Sequence, residues 1–192
     1  MVDVRAPGRP RSVRAEAAIL EATLALLGEA GFSGLTVDGI AARAGVGKAT
    51  IYRHWPGKAH VVVDALRAHL PPVPTADCGD VRSDLLAILY FLADLLTSSP
   101  LSRVLPTLVE AAERDEELEA LIRDFGGERR AAMRAALERA SERGELRPEL
   151  DLELVADLVA SPVFVRRLVQ RVPVTRDYVE TIVDTLLPAL RP

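Results

Sequence analysis

Residues 47–58 read Gly47-Lys48-Ala49-Thr50-Ile51-Tyr52-Arg53-His54-Trp55-Pro56-Gly57-Lys58. An ammonium, two hydroxyls, a guanidinium and an imidazole crowd the short stretch from Lys48 to His54, and a second ammonium follows at Lys58. These groups suit a nucleic-acid duplex. Lysine takes phosphate or guanine, arginine reaches guanine O6 and N7, and Thr and Tyr hydroxyls meet phosphate oxygens. If Ile51 faces inward, a helical rotation of about 100° per residue turns Ala49 and Arg53 outward, flanked by Thr50 and Tyr52. A merely solvated helix face also carries polar residues, but it does not usually gather aromatic, hydroxyl and basic groups this densely.

Other chemistries find less support. Gly45-Val46-Gly47-Lys48 resembles the end of a phosphate-binding loop, yet Ala42 and Ala49 stand where the leading Gly and the magnesium-binding Ser/Thr belong. His60 and Asp64 are one helical turn apart with no third ligand at a suitable spacing, so no metal is expected. His69 near a helix end suits the dipole there. No nucleophile elbow, zinc-protease helix or distinctive carboxylate pair occurs, so the chain is read as a non-enzyme without a cofactor. A lone cysteine, Cys78, excludes an intrachain disulfide and a cysteine-rich zinc cage.

Presenting the basic flank requires a helix anchored from behind. Thr36 can cap a short helix from Val37 to Ala44, with Asp38 favourable in its first turn. Gly45 then permits a left-handed turn. A steep helix crossing needs a small residue on the first helix and an apolar anchor on the second. Ala41 and Ile51 supply them, with Val46 at the turn and Pro56-Gly57 stopping the second helix near Trp55. The pattern is a helix-turn-helix over about 36–55.

The surrounding segments also read as helices. Ser12 can cap a helix to about Ala30 whose stripe is Ala15, Ile19, Ala22, Leu26 and Ala30, with Glu21 opposite and Gly31 stopping it. A helix follows over about 58–70, and Pro71-Pro72-Val73-Pro74 marks a linker at 71–80. Asp80 can cap a helix with Val81, Leu85, Leu89, Leu92 and Leu96 on one face. Short helical character near 101–112, a segment 115–143 with Gly126-Gly127 as a weak point, a helix opened by Asp151 and kinked at Pro162, and a last helix capped by Thr175 complete an all-α reading. No alternating strand pattern is found.

The chain has 192 residues, 49% apolar and 27% charged, with a net charge of −4. This excludes wholesale disorder and a uniformly basic coat protein. Residues 1–58 hold eight of the 24 basic and five of the 28 acidic residues, a balance of +3 against −7 for the remainder. A small basic module attached to a larger acidic one is implied. The apolar run Leu85–Leu96 carries Asp94 and is short for a bilayer span, and the N-terminal apolar segment carries Glu16, Glu21 and Glu29. The expectation is a cytoplasmic protein with no membrane partner.

Leu35-Thr36-Val37, Ile40-Ala41-Ala42-Arg43-Ala44-Gly45-Val46 and Lys48 through Lys58, with Glu29-Ala30-Gly31-Phe32 upstream, resemble the DNA-binding domain of the TetR family of bacterial transcription regulators. The resemblance is dense over 12–70. Gly144-Glu145-Leu146-Arg147-Pro148 through Pro162 also looks like C-terminal domains found in part of that family. It implies four parts: a flexible basic arm at 1–11, a three-helix DNA-binding domain at 12–70, the linker, and a larger helical ligand-binding and dimerisation domain at 81–192. Thr36 would cap near a phosphate. Lys48, Thr50, Tyr52 and His54 would lie on the recognition helix, with Tyr52 and His54 at phosphates. Lys58 would be a further phosphate contact, Arg53 would reach base edges, and Arg43 would reach the backbone. Gly47 departs from the Ser of many relatives and removes a capping hydroxyl, at a cost of a few tenths of a kcal/mol. Gly39 replaces an expected polar residue. The arm Gly8-Arg9-Pro10-Arg11 suits a narrow minor groove and equally suits a tail with a weak electrostatic role.

In the C-terminal domain, Tyr90, Phe91, Phe125, Met133 and Phe164 are candidates to line a cavity for an apolar small-molecule effector, or simply to fill a core. Leu154, Val155, Leu158, Phe164, Tyr178, Ile182 and Leu186 on the last two helices are candidates for a homodimer interface, although intramolecular burial gives the same periodicity. The whole reads as a ligand-responsive repressor binding a palindromic operator as a dimer. A helical protein-interaction module and a small helical enzyme are the alternatives. The basic flank counts against the first, and the missing catalytic constellation counts against the second.

Overall fold

In the computed structural model, residues 9–192 are described, with side chains from residue 13 onward. The expected arm lies outside the described residues as far as residue 8, whereas the backbone of Arg9, Pro10 and Arg11 already belongs to the first helix. The helices are α1 (Arg9–Gly34), α2 (Val37–Ala44), α3 (Lys48–Tyr52), α4 (Lys58–His69), α5 (Val81–Ser98), α6 (Leu101–Ala112), α7 (Glu116–Glu142), α8 (Leu152–Phe164) and α9 (Arg176–Leu190). A π-helical turn, Val165–Val169, continues α8. No strand occurs among the described residues.

The chain divides into two compact units. The first comprises the chain up to His69 together with Arg103–Ile122, and the second comprises Leu70–Ser102 with Arg123–Pro192. Residues 103–122, expected in the C-terminal domain, therefore group with the first unit.

In the first unit α1 packs on α2 and α4, and α2 packs on α3. The buried side of α1 is Ile19, Leu20, Ala22, Thr23 and Leu27. This is rotated from the expected stripe, since Ala30 is exposed and Leu26 only half-buried. The reason is that α1 must face two neighbours at once, so its apolar contact spreads wider than a single i, i+4 row. Gly31 breaks the helix at φ 66°, ψ 179°, and residues 32–34 continue it as a turn. By length and composition Val13–Gly34 is a candidate span with mean hydropathy 1.2. Its buried side instead packs on α2 and α4.

In the second unit α5 packs on α8 and α9, and α8 on α9. Asp80, Asp151 and Thr175 cap α5, α8 and α9 as their spacing predicts. Against expectation, α7 runs unbroken through Gly126-Gly127. The chain stays helical through Pro162 and widens three residues later into the π turn. Proline removes one i to i−4 bond, and a wider turn is one way for the backbone to accommodate it. Asp84 is fully buried, with its carboxylate accepting the Cys78 amide at 2.6 Å and an Arg143 nitrogen at 3.3 Å. Two α7 arginines tie down the preceding linker: Arg129 donates to the Pro71 carbonyl (3.0 Å) and Arg139 to that of Ala76 (2.6 Å).

Candidate nucleic-acid interface

The turn between α2 and α3 forms as its residues dictate. Thr36 is extended (φ −129°, ψ 150°), and its Oγ1 accepts the Gly39 amide at 3.0 Å. A side chain at position 39 would place its Cβ 3.2 Å from that hydroxyl, so the unexpected Gly39 keeps the cap uncrowded. Gly45 adopts φ 67°, and the Val46 amide donates to the Ala41 carbonyl at 3.0 Å. Ala41 is buried at the crossing, and Ile40 and Ile51 are inaccessible to solvent.

The recognition helix is shorter than expected. Regular α-helix ends at Tyr52, although the Trp55 amide still donates to the Ile51 carbonyl at 2.9 Å. Trp55, one turn beyond Ile51, is 4% exposed, and its Nε1 donates to Asp64 Oδ2 at 2.8 Å. Ile51 and Trp55 thus anchor α3 from behind. Asp64 also accepts from Arg67 at 3.1 Å. It is committed to this anchor, while His60 sits 3.7 Å from Glu117.

The opposite flank is open. Tyr52 is 55% exposed, Arg53 and His54 are exposed, and Thr50 is half-buried beside them. The imidazole of His54 lies 5.5 Å from the Trp55 ring, centre to centre. Gly47 caps α3 through backbone alone, its carbonyl accepting the Thr50 amide at 2.8 Å.

Three of the expected cations are engaged within the unit. Lys48 is ion-paired with Asp38, and the hydrogen bond and charge of that carboxylate raise its pKa. Arg43 gives one nitrogen to both oxygens of Glu29, at 2.8 and 2.7 Å. Lys58 departs furthest from expectation. Its ammonium donates to the carbonyls of Phe32 (3.0 Å) and Leu35 (3.2 Å) and lies 4.3 Å from the centre of the Phe32 ring. It occupies the end of α1 and is half-buried, and two of its three donors tie the helices together. Sequence spacing marks Asp38 only as a favourable first-turn acid, and marks neither Asp38 nor Glu29 as the partner of a cation. Each lies on a different helix from its cation, where helical spacing gives no signal.

The effector candidates divide by setting. Phe91 and Phe125 share the Arg129 guanidinium, at 5.7 and 5.6 Å from the ring centres. Tyr90 instead donates its hydroxyl to Glu180 at 2.6 Å and lies under Arg176, a polar setting unlike the expected aliphatic lining. Met133 is buried and Phe164 half-buried. The dimer candidates also divide. Leu154 and Leu158 are 56% and 49% exposed, and Tyr178 and Leu186 half-buried. Val155 and Ile182 are buried inside their own unit and offer nothing to a partner. Exposed Val165 and Val169, missed by the sequence reading, extend the exposed apolar residues of α8 into the π turn.

Residues 19–65 match the model of bacterial regulatory proteins of the tetR family, and residues 75–186 match a tetracyclin repressor-like C-terminal domain. An HTH-type transcriptional regulator of Mycobacterium tuberculosis strain H37Rv is 32% identical over 96% of this chain and 90% of its own length. The regulator YdeS of Bacillus subtilis is 42% identical over 112 residues, 58% of this chain and 56% of that protein. The DNA-binding transcriptional repressor TetR of Mycobacteroides abscessus is 36% identical over 56% of this chain and 57% of that protein. The crystal structure of the TetR family transcription regulator SCO0332 superposes with a TM-score of 0.71 at 34% identity, covering 93% of this chain and all of that one.

Proposed function

We propose that this chain, which belongs to the TetR family of bacterial transcriptional regulators, is a homodimeric, ligand-responsive repressor that reads a two-fold symmetric operator in the cytoplasm. The observation that carries the reading is the two-sided character of α3. Ile51 and Trp55 are buried behind it, while Tyr52, Arg53 and His54 stand exposed in front. An exposed helix of this kind fits the major groove, with Arg53 toward base edges and Tyr52 and His54 toward phosphates. Thr36 still has its hydroxyl proton to give to a phosphate, because its oxygen acts only as acceptor in the cap.

Two copies are required because one short helix reads too few bases. Leu154 and Leu158, exposed on α8, support a self-complementary apolar contact with Leu186 and Tyr178 at its margin. Such a pair would set two recognition helices about 34–36 Å apart, one turn of B-DNA. An apolar effector in the second unit, near Phe91, Phe125, Met133 and Phe164, would shift the population toward a spacing that no longer fits adjacent grooves. Repression is favoured over activation because the relative from Mycobacteroides abscessus is by name a repressor.

The test is selection of duplexes from a random pool by the full chain. The expected product is a pair of inverted half-sites about 10 base pairs apart, centre to centre. Recovery of no enriched sequence overturns the proposal.

A further inference from the structure

Two of the cations on the recognition surface are held by carboxylates of their own unit. Lys48 opens α3 and pairs with Asp38 from the first turn of α2. Arg43, in the last turn of α2, is held by Glu29 of α1. The partners are separated by ten and fourteen residues and come from different helices, so neither pair is a by-product of i, i+4 spacing. The side chains are well exposed, at 58% and 65% for Lys48 and Asp38 and 43% and 58% for Arg43 and Glu29. Arg53 differs, since among the described residues no carboxylate pairs with it.

We infer that Asp38 and Glu29 are specificity-determining residues: each holds a phosphate-binding cation against its own chain and so weakens binding to DNA of the wrong sequence. The inference rests on the DNA-binding reading above and adds to it the residues that set the ratio of operator to random binding.

Phosphate oxygens and carboxylates compete for the same donors. Binding to arbitrary duplex comes almost entirely from phosphates neutralised and counterions released. There, each phosphate captured by Lys48 or Arg43 must displace a carboxylate, which then sits beside the phosphate as a like charge. On the operator, contacts from Arg53 to base edges fix the register by an attraction that random DNA lacks, so that complex relies less on Lys48 and Arg43 leaving their carboxylates. The carboxylates therefore weaken the wrong complex by more than the right one, a discrimination built from an unfavourable contact. Exposed ion pairs are weak, so each cation stays available and each carboxylate changes affinity by about fivefold at most.

The experiment uses the full chain as wild type, Asp38→Asn, Glu29→Gln and the double variant. Each is titrated by fluorescence anisotropy against the duplex that wild type selects and against a scrambled duplex of equal length, over a range of potassium chloride. Each single variant should bind the scrambled duplex about two- to fivefold more tightly. Its salt slope should steepen by about one unit. The selected duplex should gain less, so the specificity ratio falls. Unchanged or weaker scrambled binding in both variants overturns the inference, and so does an equal gain on the two duplexes. Glu29→Gln keeps the test decisive if Asp38→Asn disturbs α2. A wild type that selects no duplex defeats the DNA-binding reading itself. A wild type that selects one while the variants behave identically defeats only this inference.

Discussion

The Lys58 ammonium lies 3.0 Å from the carbonyl oxygen of Phe32 and 4.3 Å from the centre of the Phe32 ring, joining the first residue of α4 to the end of α1 across 26 positions of sequence. Helix ends leave carbonyls without partners, and a lysine there meets both the lone pairs and the negative end of the dipole. The three-helix platform under α3 is locked at this point.

Replacing that lysine should therefore act on folding before it acts on DNA. Lys58→Met is expected to lower stability by about 2 kcal/mol, typical for losing hydrogen bonds to a charged donor. The salt slope of duplex binding should stay as in wild type. Urea unfolding followed by circular dichroism and a salt series by anisotropy check both. A slope reduced by one unit at unchanged stability would return Lys58 to the phosphate contacts.

The exposed flank should behave oppositely. Tyr52→Ala is expected to weaken binding to every duplex by roughly 1 kcal/mol, an ordinary hydrogen-bond contribution, with unfolding unchanged because the ring is 55% exposed. Arg53→Ala should relax base preference, flattening the sequence profile by about 1–3 kcal/mol at the position it reads. Repeating the selection with the variant and recovering the wild-type motif would remove Arg53 from base readout.

Neighbouring residues on α8 should separate association from folding. Leu154→Asp, at a site 56% exposed, is expected to give a folded monomer. Val155→Asp, at a site 3% exposed, puts an unpaired charge in the core and should unfold the second unit. Sedimentation with circular dichroism distinguishes them. A dimeric Leu154→Asp at micromolar concentration would place the interface elsewhere.

Acid should loosen the start of α5. Asp80 accepts the Ser83 amide at 3.0 Å, and the Ser83 hydroxyl and amide hold its carboxyl below the ordinary aspartate value. A depressed native pKa gives stability that is complete above the unfolded value, about 3.9, and lost as pH falls through the native value. Asp80→Asn keeps a cap of similar worth without a titrating group. The variant should match wild type near neutrality and lose less stability as pH falls below about 4. A steeper acid loss in Asp80→Asn would contradict this.

The turn itself was legible because all its determinants are local. Thr36 caps three residues ahead, Gly45 supplies the positive φ, and Ala41 and Ile51 meet at a crossing set by helical periodicity. The caps at Asp80, Asp151 and Thr175 were legible for the same reason. What sequence could not decide is which groups remain free. Glu29 and Phe32 reach Arg43 and Lys58 only after α1 has packed on α2 and α4, and a one-dimensional pattern does not encode that approach. Nor does apolar spacing along α8 and α9 distinguish burial within the chain from an apolar face left open, because both follow the same 3.6-residue period. Sequence fixed the shape of the reading head through short-range backbone chemistry. Tertiary packing decided which of its charges stay free, because charges pair with whatever the fold brings within a few ångströms.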